Sequence, residues 1–316
     1  MKLVGAFLRL VRWPNLVFIV LTQFLFYYCI ILPSFLQQGY EGAWFLNWPL
    51  FWWLSASSVL IAAAGYIIND YFDLNIDQVN KPDSIVIQKI IKRRWAIFWH
   101  LTLSFLGVVI TFYVSWKLKS WLIGPLNLLC VFLLWFYSTS FKKKLLLGNL
   151  IISLLTAWVV FVLYISELHL LTLTREPSYY AAITRIFKLA VLYGGFAFII
   201  SLVREVIKDM EDIQGDEKYG CRTLPIVWGV QAAKVFAAVW LIVLILAVAV
   251  TAVYGILLGW FVASMYAIMV IALPSAVILR NLYKAVTTQQ FHSISNLIKL
   301  VMLTGILSMI FFKWHI

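Results

Sequence analysis

An all-α, polytopic membrane helix bundle of about nine transmembrane helices is the fold class this sequence predicts, and three observations predict it. Hydrophobic residues make up 64% of the 316 and charged residues only 12%, with a mean hydropathy of +0.95, far from the roughly 45–50% apolar and 25% charged of a soluble domain. The apolar residues gather into stretches of about 20, the length a helix needs to cross a ~30 Å hydrocarbon core. The basic residues fall mostly on alternate loops, as they do where a chain threads a membrane repeatedly.

The stretches lie near 16–34, 50–68, 95–115, 121–140, 148–166, 187–204, 235–254, 257–279 and 297–314. Lys2, Arg9 and Arg12 precede the first, a pattern that also opens signal peptides. That run is too long and lacks a small-residue cleavage site, so it reads as the first span. Only Tyr254 to Gly259 separates the seventh from the eighth. Under this count nineteen of the 25 Lys and Arg share one side of the membrane and six the other. The positive-inside rule then places the N-terminus and the loops after the even-numbered spans in the cytoplasm, of a bacterial-type plasma membrane, and the C-terminus outside. Basic flanks on an anionic lipid face account for the net charge of +12, so no nucleic-acid module is implied. Cys29, Cys130 and Cys221 are scattered and odd in number, and read as small buried hydrophobes rather than a disulfide framework or metal knuckle.

The acidic residues are placed more tellingly. Ten of the 13 fall in two loops on the cytoplasmic side, after the second span and after the sixth. In NDYFDLNIDQVNKPD, Asn69, Asp73 and Asp77 recur every four residues and so share a helical face, with Asp70 beside it. In REVIKDMEDIQGDEKYG, Glu205, Asp209, Asp212 and Asp216 follow offsets of 4, 7 and 11, a second stripe. Like charges at i, i+4 destabilise a helix, so both stripes call for a cation. Carboxylates with one amide oxygen are hard ligands suited to Mg²⁺ or Ca²⁺, and the absence of His and Cys from both argues against Zn²⁺. Mg²⁺ commonly combines a few carboxylates with substrate phosphates, so two acidic stripes on one side read as a pair of metals clamping a diphosphate.

These residues resemble the UbiA superfamily of intramembrane prenyltransferases. NDYFDLNID is similar to its NDxxDxxxD signature, and DIQGD to its second DxxxD motif, followed by Gly220, Arg222, Thr223 and Pro225 in the family's G-x-[KR]-[ST]-x-P pattern. YSTSFKKKLLLGNL, Tyr137 to Leu150, and RWPN, Arg12 to Asn15, extend the likeness over nearly the whole chain. The resemblance implies a single membrane domain over residues 1–316, with helices around a central cavity. It implies transfer of an isoprenyl group from a polyprenyl diphosphate to a lipophilic or phosphorylated acceptor, with release of pyrophosphate. It places Asn69, Asp73, Asp77, Asp212 and Asp216 on two Mg²⁺ ions, the four carboxylates being catalytic, with Asp70 and Asp209 assisting. Asn15, Tyr137, Lys142, Lys208 and Arg222 are the substrate-binding candidates.

Chemistry independent of the family fits. A diphosphate leaves readily only once its charge is neutralised, and the allylic cation left behind is protected by a dry cavity and by aromatic faces, for which Tyr66, Tyr71 and Tyr137 lie nearest the motifs. His100, His169, His292 and His315 show no mutual spacing and no acidic neighbour, and read as interfacial or packing residues. The pattern looks most like the digeranylgeranylglyceryl-phosphate synthase branch and its bacterial relatives, from which it departs at Ser84 and Ile85, where that branch carries a basic residue and proline. Lys89, Arg93 and Arg94 are the nearby cations that would replace that basic residue. An aromatic acceptor of the hydroxybenzoate or naphthoate kind is the alternative. From another class, a secondary transporter would divide spans one to four and five to eight into parallel repeats, but it would place ionisable groups in the span interiors, which are nearly free of them.

Overall fold

The computed structural model describes residues 2–37, 46–168 and 177–315. His169 and Arg175 lie outside the described residues, as do the side chains of Ser84 and His315. The described chain is helical and contains no β-strand. In chain order the helices are α1 (Lys2–Leu10), α2 (Trp13–Gln37), α3 (Trp48–Asn80), α4 (Arg93–Lys117), α5 (Ile123–Thr139), α6 (Leu147–Glu167), α7 (Pro177–Glu211), α8 (Ile213–Lys218), α9 (Val230–Leu257), α10 (Phe261–Lys284) and α11 (Thr288–Phe311).

Eight of these, α2, α3, α4, α6, α7, α9, α10 and α11, are long and apolar enough to cross a membrane. The fourth expected span, α5, is also apolar but has only 17 residues, because Lys119 holds a left-handed backbone ahead of it (φ 52°) and the polar run from Ser138 to Lys144 ends it. All the expected stretches are therefore helical and in the expected order. Two overrun their spans: α3 has 33 residues and α7 has 35, roughly 50 Å each at 1.5 Å per residue. The surplus turns of α3 carry the first acidic stripe.

Local chemistry sets the ends. The Asn47 side chain accepts from the Leu50 N–H at 3.1 Å, and Pro49 follows it in the first turn of α3. Between α9 and α10, Gly259 adopts φ +82° and the Trp260 N–H reaches back to the Gly255 carbonyl at 2.8 Å, so the short connection expected there closes as a glycine-terminated helix end. A capping box of Thr287 and Gln290 starts α11. Two helices widen into π turns, α2 at Tyr27–Ile31 and α10 at Ala267–Ala272.

The chain forms two compact units that interleave along the sequence. One comprises residues 1–24, 34–142 and 159–188, and the other 25–33, 143–158 and 189–316. They do not follow a division into spans one to four and five to eight, as the transporter alternative required. In the first unit α4 lies along α3 at close range: a Cβ on Gly107 would stand 2.8 Å from Ile61 Cγ1 and 3.3 Å from the Ser57 carbonyl. At the motif end of this pair, Leu10 and Val11 pack with Ala63, Ile67, Val86, Ile87 and Ala96, tying α1 and the loop after α3 to the helices. The second unit has one large core, in which Val203 and Ile207 of α7 meet Leu241 of α9, Ile278 of α10 and Ile298 of α11. All three cysteines are free and buried, as their composition implied.

Candidate active site

Because α3 runs unbroken to Asn80, Asn69, Asp73 and Asp77 share one face as their spacing requires. Asn69 Nδ2 donates to Asp73 Oδ2 at 2.8 Å, while Asn69 Oδ1 is buried and has no hydrogen-bond partner. Lys142, just past the end of α5, places its ammonium on Asp73 Oδ1. Arg12 Nη2 donates to Asp70 Oδ1 at 2.7 Å, and its guanidinium lies 5.2 Å from the centre of the Tyr66 ring. Asp70 raises the Arg12 pKa above its ordinary value, against the opposing pull of burial. Arg12 does this from a left-handed backbone (φ 52°) between α1 and α2, a conformation that costs a non-glycine residue about 1–2 kcal/mol.

The second stripe departs from its expectation. The spacing implied one continuous helix, but α7 ends at Glu211 and Asp212 takes φ −97°, ψ 11° before α8 begins. Asp is a poor helix former, and Asp209, Glu211, Asp212, Asp216 and Glu217 repel one another along this segment. The ladder is bent rather than lost: the Asp212 N–H reaches the Lys208 carbonyl at 2.8 Å and the Asp216 N–H the Asp212 carbonyl at 3.2 Å. Asn149 Nδ2 holds Asp209 Oδ2 at 2.8 Å. Each unit therefore contains an asparagine amide donating to one motif carboxylate. After α8, Gly220 turns the chain with φ +70°, and the Arg222 N–H donates to the Lys143 carbonyl at 2.8 Å. That bond joins the basic stretch after α5 to the second motif.

Comparison with known proteins decides the family. The sequence matches the UbiA prenyltransferase family over residues 30–300. The chain belongs to that family. It is 30% identical over 260 residues to a digeranylgeranylglyceryl phosphate synthase of Methanosphaera stadtmanae, covering 81% of this chain and 85% of that one. Another of the same description from Pyrococcus horikoshii is 29% identical over 239 residues, 76% of this chain and 78% of that one. The fold is similar to a solved structure described as digeranylgeranylglyceryl phosphate synthase in membranes (TM-score 0.62, 21% identity, 98% and 99% of the two chains). It is also similar to a UbiA homologue from Aeropyrum pernix K1 (TM-score 0.65, 16% identity, 93% and 96%). A UbiA homologue from Archaeoglobus fulgidus bound to DMAPP and Mg²⁺ matches with TM-score 0.54 and 14% identity over 96% and 98%.

This UbiA prenyltransferase is thus an integral, multi-pass membrane enzyme, and the transporter alternative falls. The structure brings together Asn69, Asp73 and Lys142, and separately Asn149 and Asp209. Lys208 is engaged along its own helix with Glu205, 3.1 Å away, and Arg204 clasps the same carboxylate at 3.1 Å. Arg222 is exposed, and Asn15 and Tyr137 are partly buried beside the ends of α2 and α5. Two of the three rings proposed to face a developing cation already carry one, since Arg93 lies 4.7 Å over Tyr71 as Arg12 does over Tyr66. Lys89, an exposed residue, donates to the Pro82 carbonyl at 2.6 Å.

Sequence reasoning counted Arg12 only as a membrane-flanking charge and as part of RWPN; its partner is 58 residues away and carries no local signal. Asn149 was only part of a quoted likeness. His292 does have an acidic neighbour, contrary to expectation: its Nδ1 lies 2.9 Å from Glu211 Oε1, across 81 residues of sequence. His100 is the packing residue expected, buried with Nδ1 3.0 Å from the Ala64 carbonyl.

The donor set suits a hard divalent cation. Among the described residues no three acidic, His or Cys side chains close on one point, because Asp70, Asp73 and Asp209 are each held by a local cation or amide. The buried, unpartnered Asn69 Oδ1 beside Asp73 is nevertheless an oxygen donor with its desolvation already incurred, which is what an oxygen-ligated cation requires.

Proposed function

We propose that this prenyltransferase is Mg²⁺-dependent and passes the prenyl group of a polyprenyl diphosphate to the hydroxyl of an acceptor of the geranylgeranylglyceryl phosphate type. The single observation that carries the metal assignment is the Asn69–Asp73 pair with its open, buried amide oxygen. The acceptor assignment rests on the digeranylgeranylglyceryl phosphate synthases to which the chain is similar over most of its length.

Asn69, Asp73 and Asp77, assisted by Asp70, would hold one ion, and Asp212 and Asp216, assisted by Asp209, a second. Bound in this way, such ions neutralise the diphosphate as a leaving group. Asn69 orients Asp73 through its N–H, and Asn149 does the same for Asp209, fixing one oxygen of each carboxylate; the other oxygen of Asp73 carries the Lys142 ammonium, which a bound ion would displace. Lys142 supplies a positive charge at Asp73 in the ground state and a donor to a diphosphate oxygen when donor is bound. Arg12, held over Tyr66, pairs with Asp70 and fixes its position beside the stripe. The donor's C1–O bond breaks with its electron pair leaving on the diphosphate. The acceptor oxygen bonds to C1 and gives up its proton to the released pyrophosphate as the ether forms. The loops with these groups carry most of the basic residues and lie on the cytoplasmic side in this reading.

The test uses the purified chain in detergent with geranylgeranyl diphosphate, Mg²⁺ and geranylgeranylglyceryl phosphate, following pyrophosphate release and product mass. EDTA, Asp73→Ala and Asp212→Ala are each expected to abolish turnover. Undiminished turnover in either variant overturns the metal assignment, and product formed only with hydroxybenzoate or a naphthoate overturns the acceptor.

A further inference from the structure

The end of α7 is gripped on two opposite sides. Asp209 and Glu211 are two residues apart, which at about 100° per residue sets their side chains roughly 160° apart around the helix. Asp209 faces α6, where Asn149 Nδ2 holds its Oδ2 at 2.8 Å. Glu211 faces α11, where His292 Nδ1 lies 2.9 Å from its Oε1. The next residue, Asp212, is where the chain leaves the helix with φ −97° and ψ 11°. Both contacts lie within the second compact unit, and together they bracket the backbone departure that governs how the second motif is presented.

His292 is presented from a firm support. Thr287 and Gln290 cap α11 reciprocally, and Gln290 Oε1 also accepts from the Val286 N–H at 2.7 Å. Phe291, one residue before His292, and Met210, one residue before Glu211, are buried in the same core, which seats the two helix ends together. The Glu211 side chain is 6% exposed and that of His292 58%, so the carboxylate is the member withdrawn from water. A carboxylate in the last turn of a helix also stands at the negative end of the macrodipole, here in a segment already crowded with Asp209, Asp212 and Asp216. An ionised carboxylate only accepts, so the Nδ1 hydrogen is what meets its need. Beyond the kink, α8 is fastened at its far end by the Cys221 N–H on the Asp216 carbonyl at 2.9 Å and by the Arg222 N–H on the Lys143 carbonyl.

We infer that His292 is a positioning residue of the second motif: its Nδ1 hydrogen, on Glu211, holds the last turn of α7 against rotation and so sets where Asp212 and Asp216 point relative to Asp209. In this role His292 touches neither substrate nor ion. The inference rests on the reading that the second motif holds a divalent ion. With His292 lost, Asn149 grips one side of the helix end alone, and the end can turn about the Asn149–Asp209 bond. The carboxylates then lose their common aim. Groups that orient metal-binding side chains in this way typically change metal affinity about 10–100-fold when they are removed.

The experiment uses the full chain in detergent and three proteins: the parent, His292→Leu, which removes the donor, and His292→Asn, which keeps an N–H near the position of Nδ1. Each is measured for its unfolding midpoint in EDTA, for the Mg²⁺ concentration that gives half of the thermal stabilisation without substrate, and for kcat and donor KM. His292→Leu is expected to need about tenfold more Mg²⁺ by the stabilisation readout, and His292→Asn to stay within about threefold of the parent. The kcat that His292→Leu loses at limiting Mg²⁺ should return when Mg²⁺ is raised, with donor KM unchanged. An unaltered Mg²⁺ requirement in His292→Leu overturns the inference, even where its midpoint in EDTA falls, because the residue then only packs. An equal rise in His292→Asn overturns it too, since the Nδ1 hydrogen is then not what acts. Should His292→Leu fail to fold, Glu211→Gln, which keeps an acceptor for Nδ1, takes its place: a requirement within about threefold of the parent supports the inference and a rise of about tenfold overturns it. A parent that Mg²⁺ does not stabilise overturns the metal reading, and the inference with it.

Discussion

Replacing Lys142 with methionine keeps the length of the side chain and removes its charge. Its ammonium sits on Asp73 Oδ1, and the two side chains are only 11% and 16% exposed. Removing one member of a fully buried pair costs about 3–5 kcal/mol, chiefly by stranding the other charge. Here Asp73 keeps the Asn69 amide at 2.8 Å, a charge-assisted bond of about 1.5–3 kcal/mol, and some access to water, so a net loss of about 2 kcal/mol is expected. If Asp73 is a metal ligand, the loss depends on the metal. A divalent ion that binds the folded variant restores stability in proportion to RT ln(1 + [L]/Kd), and the variant, freed of a competing ammonium, gains more from it than the parent does. Thermal unfolding in detergent, followed by tryptophan emission with EDTA and with saturating Mg²⁺, gives both numbers. Lys142→Met should fall well below the parent in EDTA and recover most of the difference in Mg²⁺. Equal losses in the two conditions would refute the placement of a metal at Asp73.

Asn149→Ala removes the amide that fixes Asp209 and should lower kcat/KM about tenfold, with a matching rise in the Mg²⁺ needed for half-maximal rate; Asn149→Gln should recover less than half. Gly107→Ala forces a methyl against Ile61 and the Ser57 carbonyl, an overpacking cost of about 1–3 kcal/mol, read as a lower unfolding temperature. Since all three native thiols are buried, an impermeant maleimide should label Val286→Cys only from the cytoplasmic side and Leu258→Cys only from the outside. Labelling from the opposite sides would invert the orientation.

Much of the first motif was legible because its information is local: a single α-helix converts a spacing of four into a shared face, and α3 is one helix. The second motif has the same kind of spacing but lies where acidic repulsion and weak helix formers bend the backbone at Asp212, so periodicity projected a straighter stripe than the chain forms. The ends of α3 and α7 outran the hydropathy signal because helix continues past the apolar core wherever the neighbouring chain packs on it, as Val86 and Ile87 do on α3. The partners of Asp70, Asp73 and Asp209 were beyond reach for a different reason. Arg12, Lys142 and Asn149 are 58, 69 and 60 residues from the carboxylates they hold, and no short-range pattern records such pairings. The apolar stretches were legible as helices in order because the membrane acts on every stretch alike, although eight rather than nine of them are long enough to span, α5 being the short one.

The π turn at Tyr27–Ile31 has a bearing on how such chains change length. A π turn carries one more residue than an α turn over nearly the same rise, so it is the point in α2 where a residue can be gained or lost without sliding the whole helix along its axis. Deleting one residue there would convert the π turn into an α turn and leave Gln23 and Ser34 on their present faces, whereas a deletion elsewhere in α2 would rotate one half against the other by about 100°. Single-residue length differences between relatives should therefore gather at this turn, and an alignment that places the gap elsewhere in α2 would match lipid-facing positions to buried ones.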